Sequence, residues 1–198
     1  MPVDAGTARR GRLTPQREAE LYEAVLDLLC EVGYDALTMD AVAARTHSSK
    51  ATLYRQWKGK PELVVHALRH DKPGGDVAAI DTGTLRGDLH ALVDAVSPRR
   101  MERENALRRA MAHAVHTNPD LCEALRELLV EPAVAGVEVL LHRAVGRGEI
   151  RADVPALPFV AHALFGAVLS WEIIENRPMT PDFLGTYLDA VVLPSLGL

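Results

Sequence analysis

Between Arg45 and Lys60 the chain carries five basic residues, Arg45, Lys50, Arg55, Lys58 and Lys60, and no acid. Ser49, Thr52 and Tyr54 are set among them, side chains whose hydroxyls hydrogen-bond to oxygen and nitrogen acceptors. Cations interleaved with hydroxyls suit a nucleic acid, whose phosphates need charge and whose base edges need hydrogen bonds. The chemistry indicated is non-covalent recognition of a polyanion.

These side chains act together only if short helices hold them. Thr38 can cap a first helix, which Val42 and Ala43 give an apolar side through about Arg45. Thr46, His47 and Ser48 form a short break, and Ser49 can cap a second helix. At about 100° per residue, Leu53 and Trp57 share that helix's inward side, while Ala51 and Arg55 point outward. Thr52 and Tyr54 flank the outward face, and Lys50 stands at its positively polarised start. This spacing is that of a helix-turn-helix over residues 38–57, whose second helix enters a major groove. The small Ala51 allows close approach to a base edge or thymine methyl, and Lys60, before Pro61, is placed to hold a further phosphate.

The segment from about Thr14 to Ala67 resembles the tetracycline-repressor-type (TetR) family of transcriptional regulators. Ser49-Lys50-Ala51-Thr52-Leu53-Tyr54-Arg55 carries most of the likeness, followed by Trp57, Lys60 and Glu62-Leu63; Gly33-Tyr34 and Leu37-Thr38 fit the family's first turn. The resemblance implies DNA contacts from Thr38, Ser49, Lys50, Ala51, Thr52, Tyr54, Gln56 and Lys60, with Leu53 and Trp57 as core. Arg55 joins the contacts from its place on the helical wheel alone. His47-Ser48 stand where a glycine and an aliphatic residue are more usual, and Trp57 where phenylalanine is commoner.

The rest of the chain bounds what such a head is joined to. At 198 residues and 48% hydrophobic it can bury a sizeable core. The net charge of −5 argues against a general nucleic-acid coat. The charge is uneven: residues 1–60 hold 9 basic and 8 acidic groups, residues 61–198 hold 13 and 19. Three of the four lysines, Lys50, Lys58 and Lys60, fall in the proposed DNA-binding stretch. Cys30, on the apolar side of the first helix pattern, and Cys122 lie far apart without zinc-finger spacing, which fits a reduced cytoplasm. Residues 1–13, with Arg9, Arg10 and Arg12, read as a flexible basic arm rather than a signal peptide. The uncharged run from Val154 to Trp171 raises the question of a membrane span, but Pro155, Pro158 and His162 argue for a buried soluble helix.

Helix signals recur throughout, and no strand series appears. Thr14-Pro15 opens a helix with Leu21, Val25, Leu28, Leu29 and Val32 on one side, ended by Gly33. Pro61 opens a fourth helix that ends near His70. Further starts stand at Thr84, at Ser97-Pro98, at Asn118-Pro119-Asp120 and at Thr180-Pro181-Asp182, with a kink at Pro132 inside a helix running to about Arg147. The expected fold is all-α: a basic arm at 1–13, a head over 14–71 made of three helices and a linking helix, a linker at 72–83, and a larger helical body over 84–198.

In that body, residues 157–171 are apolar or small nearly all round, so both sides of the helix require cover. Leu157, Val160, Ala161, Leu164 and Val168, with Phe183, Leu184, Tyr187, Leu188 and Val191 of the last helix, are the candidates for a four-helix homodimer interface. Two-fold symmetry would present two heads to a palindromic operator. The family resemblance implies that the body also binds a small-molecule effector whose binding releases DNA, with repression the commoner outcome. Met101, Met111, His113, His116, Phe159, His162, Phe165 and Trp171 are the candidate lining. No cofactor and no metal is expected: His113 and His116 with His90 or His162 give too weak a ligand pattern. Two alternatives remain, a small helical enzyme using His113, His116 and a carboxylate, and a helical interaction protein whose head serves only packing. No convergent nucleophile, serine elbow or glycine-rich phosphate loop marks the former.

Overall fold

A computed structural model describes residues 13–71, 77–95 and 98–198, and within them every regular element is helical. The arginines of the basic arm, the first five residues of the expected linker and Ser97 lie outside the described residues. The chain divides into two packing units, one of residues 1–72 with 109–128, the other of 73–108 with 129–198. This differs from a division at the linker alone, because the end of α6 (Pro98–Thr117) and α7 (Pro119–Leu125) belong with the head.

In the first unit, α1 (Pro15–Ala36) packs against α2 (Met39–Arg45) and α4 (Lys60–Asp71), α2 against α3 (Lys50–Gln56), and α7 against α4. Thr14 caps α1 by accepting from the backbone N–H of Arg17, and Asn118 caps α7 through the N–H of Leu121. The buried side of α1 consists of Leu21, Tyr22, Val25, Leu26, Leu28 and Leu29. Val32 and Cys30, which the pattern places on the apolar side, are both exposed. Gly33 breaks the helix as expected, with φ 76°, but helical geometry resumes as far as Ala36.

The second unit is centred on α5 (Leu85–Asp94), α8 (Glu131–Gly146), α9 (Val160–Glu175) and the last stretch, α10 (Pro181–Tyr187) through α11 (Leu193–Ser195). Leu85, Leu89, Val137, Leu140, Ala144, Val160, Leu188 and Leu193 form its main core, and Met101, Trp171 and Met179 a second cluster. The kink expected at Pro132 is a π-helical turn, Arg126–Val130, immediately before it. Proline supplies no N–H and its ring crowds the carbonyl four residues back, so the ladder widens there.

The described part of the expected linker is tightly held. Val77–Ala79 forms a 3₁₀ turn against α8, so close that a Cβ on Gly136 would stand 2.5 Å from Val77 Cβ. Arg143 donates to the carbonyls of Ala78 and Ile80. Asp88, fully buried, accepts from the backbone N–H and hydroxyl of Thr82 and from Arg147. Burial alone would raise the Asp88 pKa, but these donors outweigh it and hold the carboxyl below its ordinary range. The depressed value means that Asp88 contributes stability above the ordinary carboxylate pKa, lost as pH falls through its folded value. Asp88→Asn should destabilise the chain by about 2 kcal/mol at neutral pH, and the gap to the unsubstituted protein should narrow below about pH 4 in urea titrations.

Candidate nucleic-acid interface

The two short helices of the motif are each closed by their own sequence. Thr38 Oγ1 accepts from the N–H of Ala41 at 3.1 Å, and Ser49 Oγ from the N–H of Thr52 at 3.1 Å, so each hydroxyl satisfies a donor that its helix leaves open. Between them, the N–H of Ser48 reaches the carbonyl of Ala43 and the N–H of His47 that of Ala44. This pair of bonds is a Schellman closure, with His47 at the left-handed position at φ 50°. The sequence departure in the turn is thus a histidine in a conformation that glycine adopts without cost. Arg17, at the start of α1, donates to the carbonyl of Thr46 at 2.6 Å and fastens the turn from outside.

The inward side chains are where the wheel places them. Leu53 and Trp57 are buried, and the Trp57 ring meets Tyr22 edge-on at 5.8 Å between centroids. Tyr22 is held unionised well above the ordinary phenol range by burial and by Glu18. Outward, Ala51, Tyr54 and Arg55 are exposed, Tyr54 by 55%, and Thr52 is half-buried. Lys50, Ser49 and Thr38 are exposed on the same motif.

Arg45, Lys50 and Lys60 have partners that the linear pattern does not show. Arg45 forms a two-pronged pair with Glu31 at 3.2 and 2.7 Å, which lowers the Glu31 pKa and raises that of Arg45. Lys50 Nζ lies 2.6 Å from Asp40 Oδ2. The Lys60 ammonium donates to the carbonyl of Tyr34 at 2.9 Å and stands 4.3 Å from the centre of the Tyr34 ring. Burial lowers the Lys60 pKa, and it pushes that of Tyr34 up to about 12, with Asp120 and Asp35 adding to the latter. Gln56 is half-buried, with Oε1 shielded and without a hydrogen-bond partner among the described residues. The pairing of Glu31, Asp40 and Arg17 with the motif has no signal in the local sequence, since each bond crosses from one helix to another segment.

The body does not gather the eight candidate effector contacts. Met101 and Trp171 share the second core cluster. His162 and Phe165 line a groove of about 270 Å³ between α8 and α9, beside the exposed Phe159. Met111, buried, and His113 and His116, exposed, belong to the first unit. The ten candidate interface residues differ in exposure. Val160 and Leu188 are core residues, while Leu157, Ala161, Leu164, Val168, Phe183, Leu184 and Tyr187 are half-buried and only Val191 is exposed. The most exposed large apolar side chains of α9 and the turn before it are Phe159, Leu169, Ile173 and Ile174. Both sides of this helix are apolar, so periodicity does not distinguish the side facing its own core.

His47 offers a direct check on the turn. Replacing it by Gly should stabilise the protein by about 0.5–1 kcal/mol in chemical denaturation, because release of left-handed strain outweighs the entropy of an added glycine. His47→Val, β-branched at the same φ, should destabilise it by about 1 kcal/mol or more.

Comparison with known proteins bears on the whole chain. The family model of bacterial regulatory proteins of the tetR family matches residues 21–67, and that of the tetracyclin repressor-like C-terminal domain matches residues 79–191. An uncharacterized HTH-type transcriptional regulator of Mycobacterium tuberculosis is 39% identical over 182 residues, covering 91% of this chain and 88% of its own length. The DNA-binding transcriptional repressor TetR of Mycobacteroides abscessus is 35% identical over 178 residues, covering 89% and 92%. GusR of Salmonella enterica shares the fold at a TM-score of 0.70 with 21% identity, over 94% of this chain and 99% of that one. With both halves matched and a helix-turn-helix closed by its own caps, the chain belongs to the TetR family of DNA-binding transcriptional regulators.

Proposed function

We propose that the protein is a homodimeric repressor that grips a palindromic operator through Thr38, Ser49, Lys50, Ala51, Thr52, Tyr54 and Arg55, and is released from it by a small-molecule effector. The observation that carries the DNA contacts is the division of α3 and the residue after it. Leu53 and Trp57 are sealed into the head, while Ala51, Tyr54 and Arg55 stand outward. Lys60, bonded to the Tyr34 carbonyl in the unbound head, and Gln56, whose Oε1 is buried, stand at the margin of this contact set. The sign of regulation follows the M. abscessus relative, whose name describes a repressor. The effector requires only a higher affinity for the state that does not fit the operator. Among the sequence candidates, the Met101–Trp171 cluster suits it best: Trp171 Nε1 is buried there without an acceptor among the described residues, a donor that an apolar ligand bearing a carbonyl would satisfy.

The second copy is supported by the exposed side of α9, where Leu169 is 66% and Ile173 85% exposed. The same segment, Leu157–Glu175, is long and apolar enough to qualify as a membrane span by composition. α9 itself has 16 residues, about 24 Å, short of a hydrocarbon core of about 30 Å, so a protein partner and a cytoplasmic setting fit it better.

Lys50→Ala, Thr52→Ala and Tyr54→Ala combined should weaken binding to a duplex selected from a random pool by about a hundredfold or more, with helicity and melting unchanged. Unchanged affinity would sink the contact assignment. Leu169→Glu with Ile173→Glu should halve the mass in light scattering to that of a 21.6 kDa monomer, whereas a persistent dimer would move the interface elsewhere.

A further inference from the structure

Asp40 stands in the first turn of α2 and Lys50 opens α3, with Asp40 Oδ2 and Lys50 Nζ 2.6 Å apart and both side chains more than half exposed. The pair therefore joins the starts of the two helices capped by Thr38 and Ser49. An acid in a first turn is favourable to its own helix dipole, but that role does not require contact with the next helix. Here the carboxylate occupies the lysine that the recognition surface offers to a phosphate, and it places a negative charge beside an approaching polyanion.

We propose that Asp40 is an electrostatic restraint on DNA binding, a role that rests on the DNA-binding reading of this surface. In the unbound head it holds Lys50. Engaging a phosphate breaks that pair and leaves a carboxylate near the backbone, so the grip on any duplex is weaker than the number of cations suggests. The freed carboxylate also takes up a cation, which offsets one that the DNA releases and flattens the salt dependence. Asp40 thus tunes affinity without touching a base.

The test uses the full chain, Asp40→Asn, Lys50→Gln and the double variant, with fluorescence anisotropy on a random-sequence duplex of about 30 base pairs over roughly 50–200 mM salt. Asparagine keeps a polar residue in the first turn of α2, and circular dichroism confirms the fold. Asp40→Asn should bind about fivefold tighter at the low-salt end, with a salt slope steeper by about one ion per head. In the Lys50→Gln background the gain should fall below about twofold. An unchanged affinity and slope for Asp40→Asn overturns the restraint. So does an equal gain with and without Lys50, because the carboxylate would then act alone. If the unsubstituted protein and every variant fail to bind the duplex, the DNA-binding reading itself fails; binding that ignores Asp40 removes only the restraint.

Discussion

Everything the recognition surface presents depends on burying Leu53 and Trp57. A helix as short as α3, seven residues, does not persist in water by itself, since nucleation is unfavourable and so few residues repay little of it. Its stability has to come from the packing of its inward side. Leu53 is sealed in the head, and Trp57, the residue that ends the helix, sets its ring against Tyr22 of α1. Once those two are fixed, the direction of Ala51, Tyr54 and Arg55 follows from the turn of the helix.

The turn before α3 is the second determinant of that direction. The Schellman bonds at His47 and Ser48 set the angle between the two short helices, and Arg17 of α1 holds the carbonyl of Thr46. The histidine in a left-handed conformation indicates that the surrounding bonds are strong enough to impose it. The body has an analogous polar clamp. Buried Asp88, with the more exposed Arg147 and Arg143, holds the segment that follows the head, so a stretch that reads as a loose connection from its glycines and proline is bonded along its described part. Both clamps use a charged group to bond backbone atoms of an irregular segment.

Charge on the head is governed by the same three-dimensional pairing. Along the sequence the motif is a run of cations. In space, Arg45 faces Glu31 and Lys50 faces Asp40, so the positive potential is lower than the run suggests, while Lys60 is held by the neutral Tyr34. DNA affinity in such a head is a balance between these internal partners and the phosphates, each able to take the same donors.

Much was legible in the sequence by itself: the all-helical class, the helix-turn-helix, its caps at Thr38 and Ser49, and the inward pair Leu53 and Trp57. These depend on interactions spanning three or four residues, which local periodicity and side-chain type encode directly. The tertiary structure decided what lies between distant segments. It paired Asp40 with Lys50, turned Lys60 toward Tyr34, placed residues 109–128 with the head, and divided the eight candidate effector contacts between the two packing units. It also chose which apolar side of α9 faces its own core, burying Val160 and leaving Leu169 and Ile173 exposed. A helix apolar all round carries no phase for a sequence to show, and an ion pair across a packing depends on an angle that neither partner's neighbours encode.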